Sequence, residues 1–219
     1  MTDSAHFEID FAHGPHRGAV SAETLAPFLR PNHWVDSEHP AVIGQALALA
    51  EGCAAEVEVA ARCFAFVRDA VRHSWDHRAN PVTCAASEAL AHRTGYCYAK
   101  SHLLAALLRA NGIAAGLCYQ RLSVGDAGAP YCLHGLNAVY LKGFGWYRCD
   151  ARGNKPGVDA QFSPPDERLA FRLRDPEEAE LPGIYAAPWP EVVALLTQSA
   201  DVAEVLARLP EADAAWRAR

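Results

Sequence analysis

The sequence predicts an α+β fold, with helices in its first half packed on an antiparallel sheet formed by its second. Three observations carry this. Apolar residues recur at helical spacing up to about residue 110, and the pattern then changes to strand-like runs from Ile113. Between the two lies Gly95 to Gly112, a helix that opens on a cysteine. At 219 residues the chain is long enough for one domain with a real core and too short for two comfortable ones, so 1–219 is expected to form a single domain.

Taken in order, residues 5–12 set Phe7, Ile9 and Phe11 against polar neighbours, the mark of a short strand or extended arm. The stretch holding His13, His16, His33 and His39 shows no pair at metal-ligand spacing and reads as solvated loop, so no metal site is expected. Helices are expected at 41–50 and 54–72, the second turning Val57, Cys63, Phe64, Val67 and Val71 inward. Asn80-Pro81 breaks the chain, and a short helix over 84–92 leads to Gly95. The next helix places Leu103, Leu104, Leu107 and Leu108 on one apolar stripe, with Lys100 and His102 on the solvated face, and Asn111-Gly112 ends it. Strands are expected at 113–124, 131–141 and 145–150, with one more at 168–174. Residues 176–190 form a proline-punctuated arm, and 191–209 form one or two helices whose apolar faces must be covered. They either close the domain's own core, or flank the cleft, or pair with a second copy in a homodimer.

Composition excludes several roles. A net charge of −6 argues against nucleic acid or an anionic membrane as the main partner. No apolar run approaches the ~20 residues that span a bilayer, and the first residues lack the basic and apolar regions of a signal peptide. Seven cysteines, an odd number with no C-x-x-C pair, point to a reducing cytoplasm, with most of them small core residues.

Cys97 falls in the first turn of its helix, where unpaired N–H groups and the positive end of the dipole lie. A thiol in such a place ionises more readily, and the thiolate is the nucleophilic form. Downstream, if two strands pair around Lys142, His134 stands directly opposite Asp150, with Cβ atoms ~5 Å apart. The carboxylate then orients the imidazole toward a nucleophile, and a slip of one residue would separate the two. The plain alternatives are a seventh buried cysteine, a satisfied core histidine and an aspartate that caps a strand.

The ordered set resembles the transglutaminase-like superfamily, whose papain-like core carries Cys, His and Asp in this chain order. The similar residues are Gly95-Tyr96-Cys97 with Leu104 to Ile113 behind them, then His134 with Asn137 to Leu141, Gly145-Trp146 and Asp150. Phe66 to Asp69 and Ala86 to Leu90 are similar as well, so the resemblance covers roughly 55–155, leaving 176–219 as an appendage. Where many members place an acidic residue and an aromatic after the cysteine, this chain has Tyr98-Ala99-Lys100-Ser101. Where they follow the histidine with Ala-Trp, it has Gly135-Leu136.

The resemblance implies a Cys97-His134-Asp150 triad that transfers an acyl group from an amide, acting on a peptide or protein without a cofactor. Water as acceptor makes it a protease or amidase, and an amine makes it a transglutaminase. The first oxyanion donor would be the Cys97 backbone N–H and the second an upstream aromatic N–H, for which Trp75 is the candidate. Tyr98, beside the thiol, is a candidate for the substrate or oxyanion wall. Two other classes remain open: an interaction domain that keeps the fold without turnover, and an acyltransferase using a thioester donor.

Overall fold

The computed structural model describes residues 6–7, 20–125 and 128–211. His13 and His16, and most of the expected strand over 5–12, lie outside them. Of that strand, His6–Phe7 (β1) is described. Helices follow at Ala22–Leu25 (α1), Pro40–Ala50 (α2) and Glu56–Ala70 (α3). His39 caps α2 through Nδ1, which accepts the Ala41 N–H at 3.3 Å, and His33 stacks edge-on against Trp34. Arg72–His73 (β2) pairs in parallel with Thr94–Gly95 (β3), and Ala86–His92 (α4) lies between them in the chain. Glu88 opens α4 by accepting the Cys84 and Ala85 N–H groups at 2.8 and 3.1 Å.

Cys97–Ala110 (α5) is the hub. Every residue from Cys97 to Arg109 is buried, so the expected apolar stripe with a wet face is overturned. The helix packs against α2, α3 and α4 on one side and the sheet on the other, which leaves no face for water. Its polar side chains are therefore paired inside. Lys100 donates from Nζ to the carbonyls of Val71 and Arg68, and His102 Nδ1 meets the Cys84 carbonyl at 2.7 Å. Arg109 donates to the carbonyls of Ala115, Arg30 and Ala186 at 2.8–3.0 Å. The helix closes at Asn111 and Gly112 as the sequence predicts, with Gly112 N–H on the Arg109 carbonyl at 2.9 Å.

The sheet is built on Ala115–Ser123 (β4), Tyr131–Leu141 (β5) and Gly145–Cys149 (β6), all antiparallel. Leu117, Leu133, Val139, Leu141, Tyr147 and Cys149 join α5 in the main core. Alternate residues Cys118, Leu136, Ala138 and Trp146 form a second cluster with Phe28 and Ile184. The β5–β6 register differs from the expected one. Leu141 pairs Gly145 and Asn137 pairs Cys149, so the turn centres on Gly143, whose φ of +85° suits a residue without Cβ. The offset is two residues, which preserves the face of every side chain.

The strand expected over 168–174 does not form beyond Arg168. Gln161–Ser163 (β7) and Asp166–Arg168 (β8) make a hairpin instead. Backbone donors of the following segment are taken by carboxylates, Ala170 N–H by Asp150 at 3.3 Å and Arg174 N–H by Glu178 at 2.6 Å, so no ladder can form. The proline-rich arm supplies Ala179–Glu180 (β9) and Ile184–Tyr185 (β10). Both pair with β4, and β10 pairs on its other side with β1. Pro190–Gln198 (α6) and Val202–Ala207 (α7) then bury Val192, Leu195, Leu196, Val202 and Val205 in the chain's own core. At the sheet's other end, Arg148 of β6 gives its backbone N–H to Glu167 at 3.1 Å and its guanidinium to Glu167 and Glu180.

Candidate active site

Cys97 is the first residue of α5, at the N-terminal end, and Tyr96 caps the helix in an extended conformation. The parallel pair β2–β3 fixes the approach, because Ser74 N–H holds the Gly95 carbonyl at 3.0 Å. His134 lies on β5 at the point where β6 has already ended, and Asp150 is the first residue beyond β6. With the observed register the two are diagonal rather than opposite neighbours, and they still meet. His134 Nε2 and Asp150 Oδ2 are 2.7 Å apart, both groups almost fully buried. Engaging Nε2 leaves Nδ1 for the Cys97 side.

The surroundings hold this pair ionised. Burial alone would push the His134 imidazole down. The charges of Asp150 and of the Cys97 sulfur, with hydrogen bonding to both, outweigh it and raise the imidazole to about 10. Burial would raise Asp150, but the charge of His134 and the hydrogen bonds from His134, Arg152 N–H and Ala170 N–H hold it below its usual range. Phe171 meets the His134 ring edge-on at 5.0 Å between centroids, so the imidazole is held on its carboxylate side and its flank.

A cleft of about 510 Å³ opens over Cys97 and His134. Trp75 lies on its wall with the Arg78 guanidinium 3.6 Å from its ring centroid. Tyr98 does not line it. Its ring is fully buried and its hydroxyl donates to the Leu133 carbonyl at 2.5 Å, so it struts α5 against β5. That removes Tyr98 from the substrate wall and corrects the expectation. Helix α7 serves core and cleft together, since Leu206 and, just past the helix, Leu209 form part of the wall.

Four residues that sequence reasoning did not single out complete the site. Arg152 forms a bidentate pair with Asp76 at 2.5 and 3.0 Å, and Lys155 reaches the same carboxylate at 2.8 Å. The pair ties the loop after Asp150 to the loop after β2. His73 packs on Tyr96 at 4.8 Å on the cleft wall, with Nδ1 unpartnered among the described residues and 3.6 Å from Asp76. Burial and the nearby Arg152 charge push the His73 imidazole well down, which keeps it neutral.

The sequence profile of the transglutaminase-like superfamily matches residues 45–151, from the middle of α2 to the residue after Asp150. The chain belongs to the transglutaminase-like superfamily. That superfamily is one of thiol-based hydrolases and transferases. In fold, the transglutaminase-like chain resembles a provisionally assigned cysteine protease from Cytophaga hutchinsonii. The TM-score is 0.50 at 19% identity, over 66% of this chain and 48% of that one. It also aligns with the periplasmic domain of TgpA from Pseudomonas aeruginosa bound to ethylmercury, with a TM-score of 0.47 at 19% identity over 61% and 50% of the two chains. The transglutaminase-like chain thus spans about half the length of each of these solved chains. No curated protein matches it. Among the described residues no helix is long and apolar enough to cross a membrane.

Proposed function

We propose that this protein is a cysteine enzyme that transfers an acyl group from a peptide or protein amide, with Cys97 as nucleophile, His134 as acid and base, and Asp150 as the group that holds His134. The observation that carries the reading is the buried 2.7 Å contact between His134 Nε2 and Asp150 Oδ2, set at the N-terminus of the helix that begins with Cys97. In this scheme Cys97 Sγ attacks the carbonyl carbon, and the oxyanion is met by the Cys97 backbone N–H. The Trp75 indole is the proposed second donor, supported by its place on the cleft wall. His134 passes its proton to the leaving amine, which departs as the thioester forms. Water or an amine then takes the acyl group, with His134 removing the incoming proton.

Two wider readings belong with this one. Residues 1–219 act as one domain, supported by a core cluster that runs from Val35 to Val205. The setting is cytoplasmic, supported by seven free cysteines.

The test is a turnover screen of the purified protein against peptide and acyl-amide libraries, with and without an amine acceptor, and with Cys97→Ala alongside. An acyl-enzyme adduct mapped to Cys97 is the expected result. Turnover that survives Cys97→Ala would overturn the scheme.

A further inference from the structure

We infer that the cleft selects an acidic peptide, held by Arg172 and Arg174 through carboxylates close to the bond under attack. The inference rests on the thiol reading above and names its substrate class.

Four fixed cations line the cleft, Arg152, Lys155, Arg172 and Arg174, against one carboxylate, Glu178. Two of the four are paired in place, since Arg152 and Lys155 share the one carboxylate of Asp76. Glu178 forms no ion pair with Arg172 or Arg174 among the described residues. It is engaged by the backbone N–H groups of Ser123, Arg174 and Asp175 at 2.6–3.2 Å, and it stays ionised there because those hydrogen bonds outweigh its burial. Arg172 and Arg174 are exposed, and among the described residues neither guanidinium has a carboxylate partner. They follow directly on Phe171, the residue packed on the His134 ring. Their position is therefore tied to the base rather than to a remote surface.

This charge stands out in a chain whose net charge is −6. A basic wall inside an acidic protein concentrates anions at the cleft mouth and repels cations. Guanidinium groups also present paired N–H donors that match a carboxylate. A cleft of about 510 Å³ accommodates a few residues of extended peptide.

The experiment uses tripeptidyl acyloxymethyl ketones that carry Glu, Gln or Lys at each position in turn, with labelling of Cys97 followed by intact mass. Labelling with Glu should exceed Gln by roughly ten-fold at low ionic strength, with Lys slowest. The ratio should shrink at high salt and fall close to one in Arg172→Gln/Arg174→Gln. Lys142→Gln, which removes a cation 88% exposed at the β5–β6 turn, should leave the ratio in place. The single arginine variants carry the same comparison if the double one does not fold. Equal rates for Glu and Gln in the wild type, or a ratio that survives both arginine changes, would overturn the inference while the thiol reading stands. Failure of every probe and of iodoacetamide to modify Cys97 would overturn the thiol reading, and this inference with it.

Discussion

The ring of Tyr98 occupies the volume that a side chain at position 135 would need. A Cβ placed on Gly135 would lie 2.8 Å from Tyr98 Cδ1 and 3.4 Å from its Cα. Tyr98 and Gly135 are thus one feature, a large group on α5 matched by a glycine on β5. Gly135→Ala should cost about 1–3 kcal/mol, the usual range for overpacking. Tyr98→Leu in the same chain should recover part of that loss, as read by urea unfolding. Additive losses in the double variant would separate the two residues.

Asp150→Asn tests the orienting group. It should lower turnover by about 10³-fold or more, on the scale of the same change in serine enzymes, with the fold intact. The pH profile gives a second reading. With Asp150 present, His134 keeps its proton up to about 10. The alkaline fall in turnover should lie near that pH in the wild type and move toward the ordinary histidine range in the variant.

Lys100 and His134 should tilt stability with pH in opposite directions. His134 is raised from 6.5 to about 10, so its contribution is full below pH 6.5 and is lost as pH rises toward 10. Burial, with the charge of Arg152, lowers Lys100 from 10.5 to about 7, so its penalty is full below 7 and is relieved as pH rises. Each acting alone changes stability by at most about 1.4 kcal/mol per pH unit. Between pH 7 and 8.5, Lys100→Met should therefore lose stability with pH relative to wild type, and Asp150→Asn should gain it. Urea midpoints at the two pH values decide the matter, and parallel behaviour of both variants would refute the pairing of slopes.

Arg109 joins three parts of the chain at once. Its guanidinium serves carbonyls at Arg30, Ala115 and Ala186, and only 4% of the residue is exposed. Arg109→Met keeps the stem and removes the donor to the Arg30 and Ala115 carbonyls, while Ala186 keeps Asn32 Nδ2 at 3.1 Å, so a loss of about 3 kcal/mol is expected in thermal or urea unfolding. A variant within 1 kcal/mol of wild type, a margin well below the cost of one orphaned buried acceptor, would show that water replaces the guanidinium.

Truncation after Asp175 removes β9, β10, α6 and α7, and with them the buried Leu181, Ile184, Val192, Leu195, Leu196, Val202 and Val205. The lost burial is on the order of 10 kcal/mol, comparable with the whole stability of a domain. An insoluble product is expected. A folded, soluble fragment would show that the arm and helices are an accessory.

Much of the site was legible because its parts are local. A helix start around Cys97, a hairpin carrying His134 and Asp150, and the ends of β5 are set by spacing and turn residues within a few positions. The hairpin pivot was misplaced by one residue because Lys142-Gly143-Phe144 offers two centres, and only the ladder chooses Gly143. What was illegible depends on distant partners. Lys100 and His102 look solvated until α2, α3 and α4 close around α5. Arg152 and Asp76 lie 76 positions apart, and nothing near either residue announces the other. His73 and Phe171 reach the cleft through the β2–β3 pair and the segment after β8, which no periodicity foretells. The expected strand at 168–174 failed for a related reason, since its backbone donors are claimed by Asp150 and Glu178.

The contact between the Arg148 backbone and Glu167 also settles where the sheet stops. An outer strand with bare N–H and C=O groups is a template for further strands, whether from a peptide or from another copy. Here a carboxylate oxygen, 3.1 Å from the Arg148 nitrogen, occupies the place where an incoming strand's carbonyl would dock. The guanidinium of the same residue clamps that carboxylate at 2.7 Å, so the plug is held by the strand it protects. Strand addition at β6 is blocked at this position.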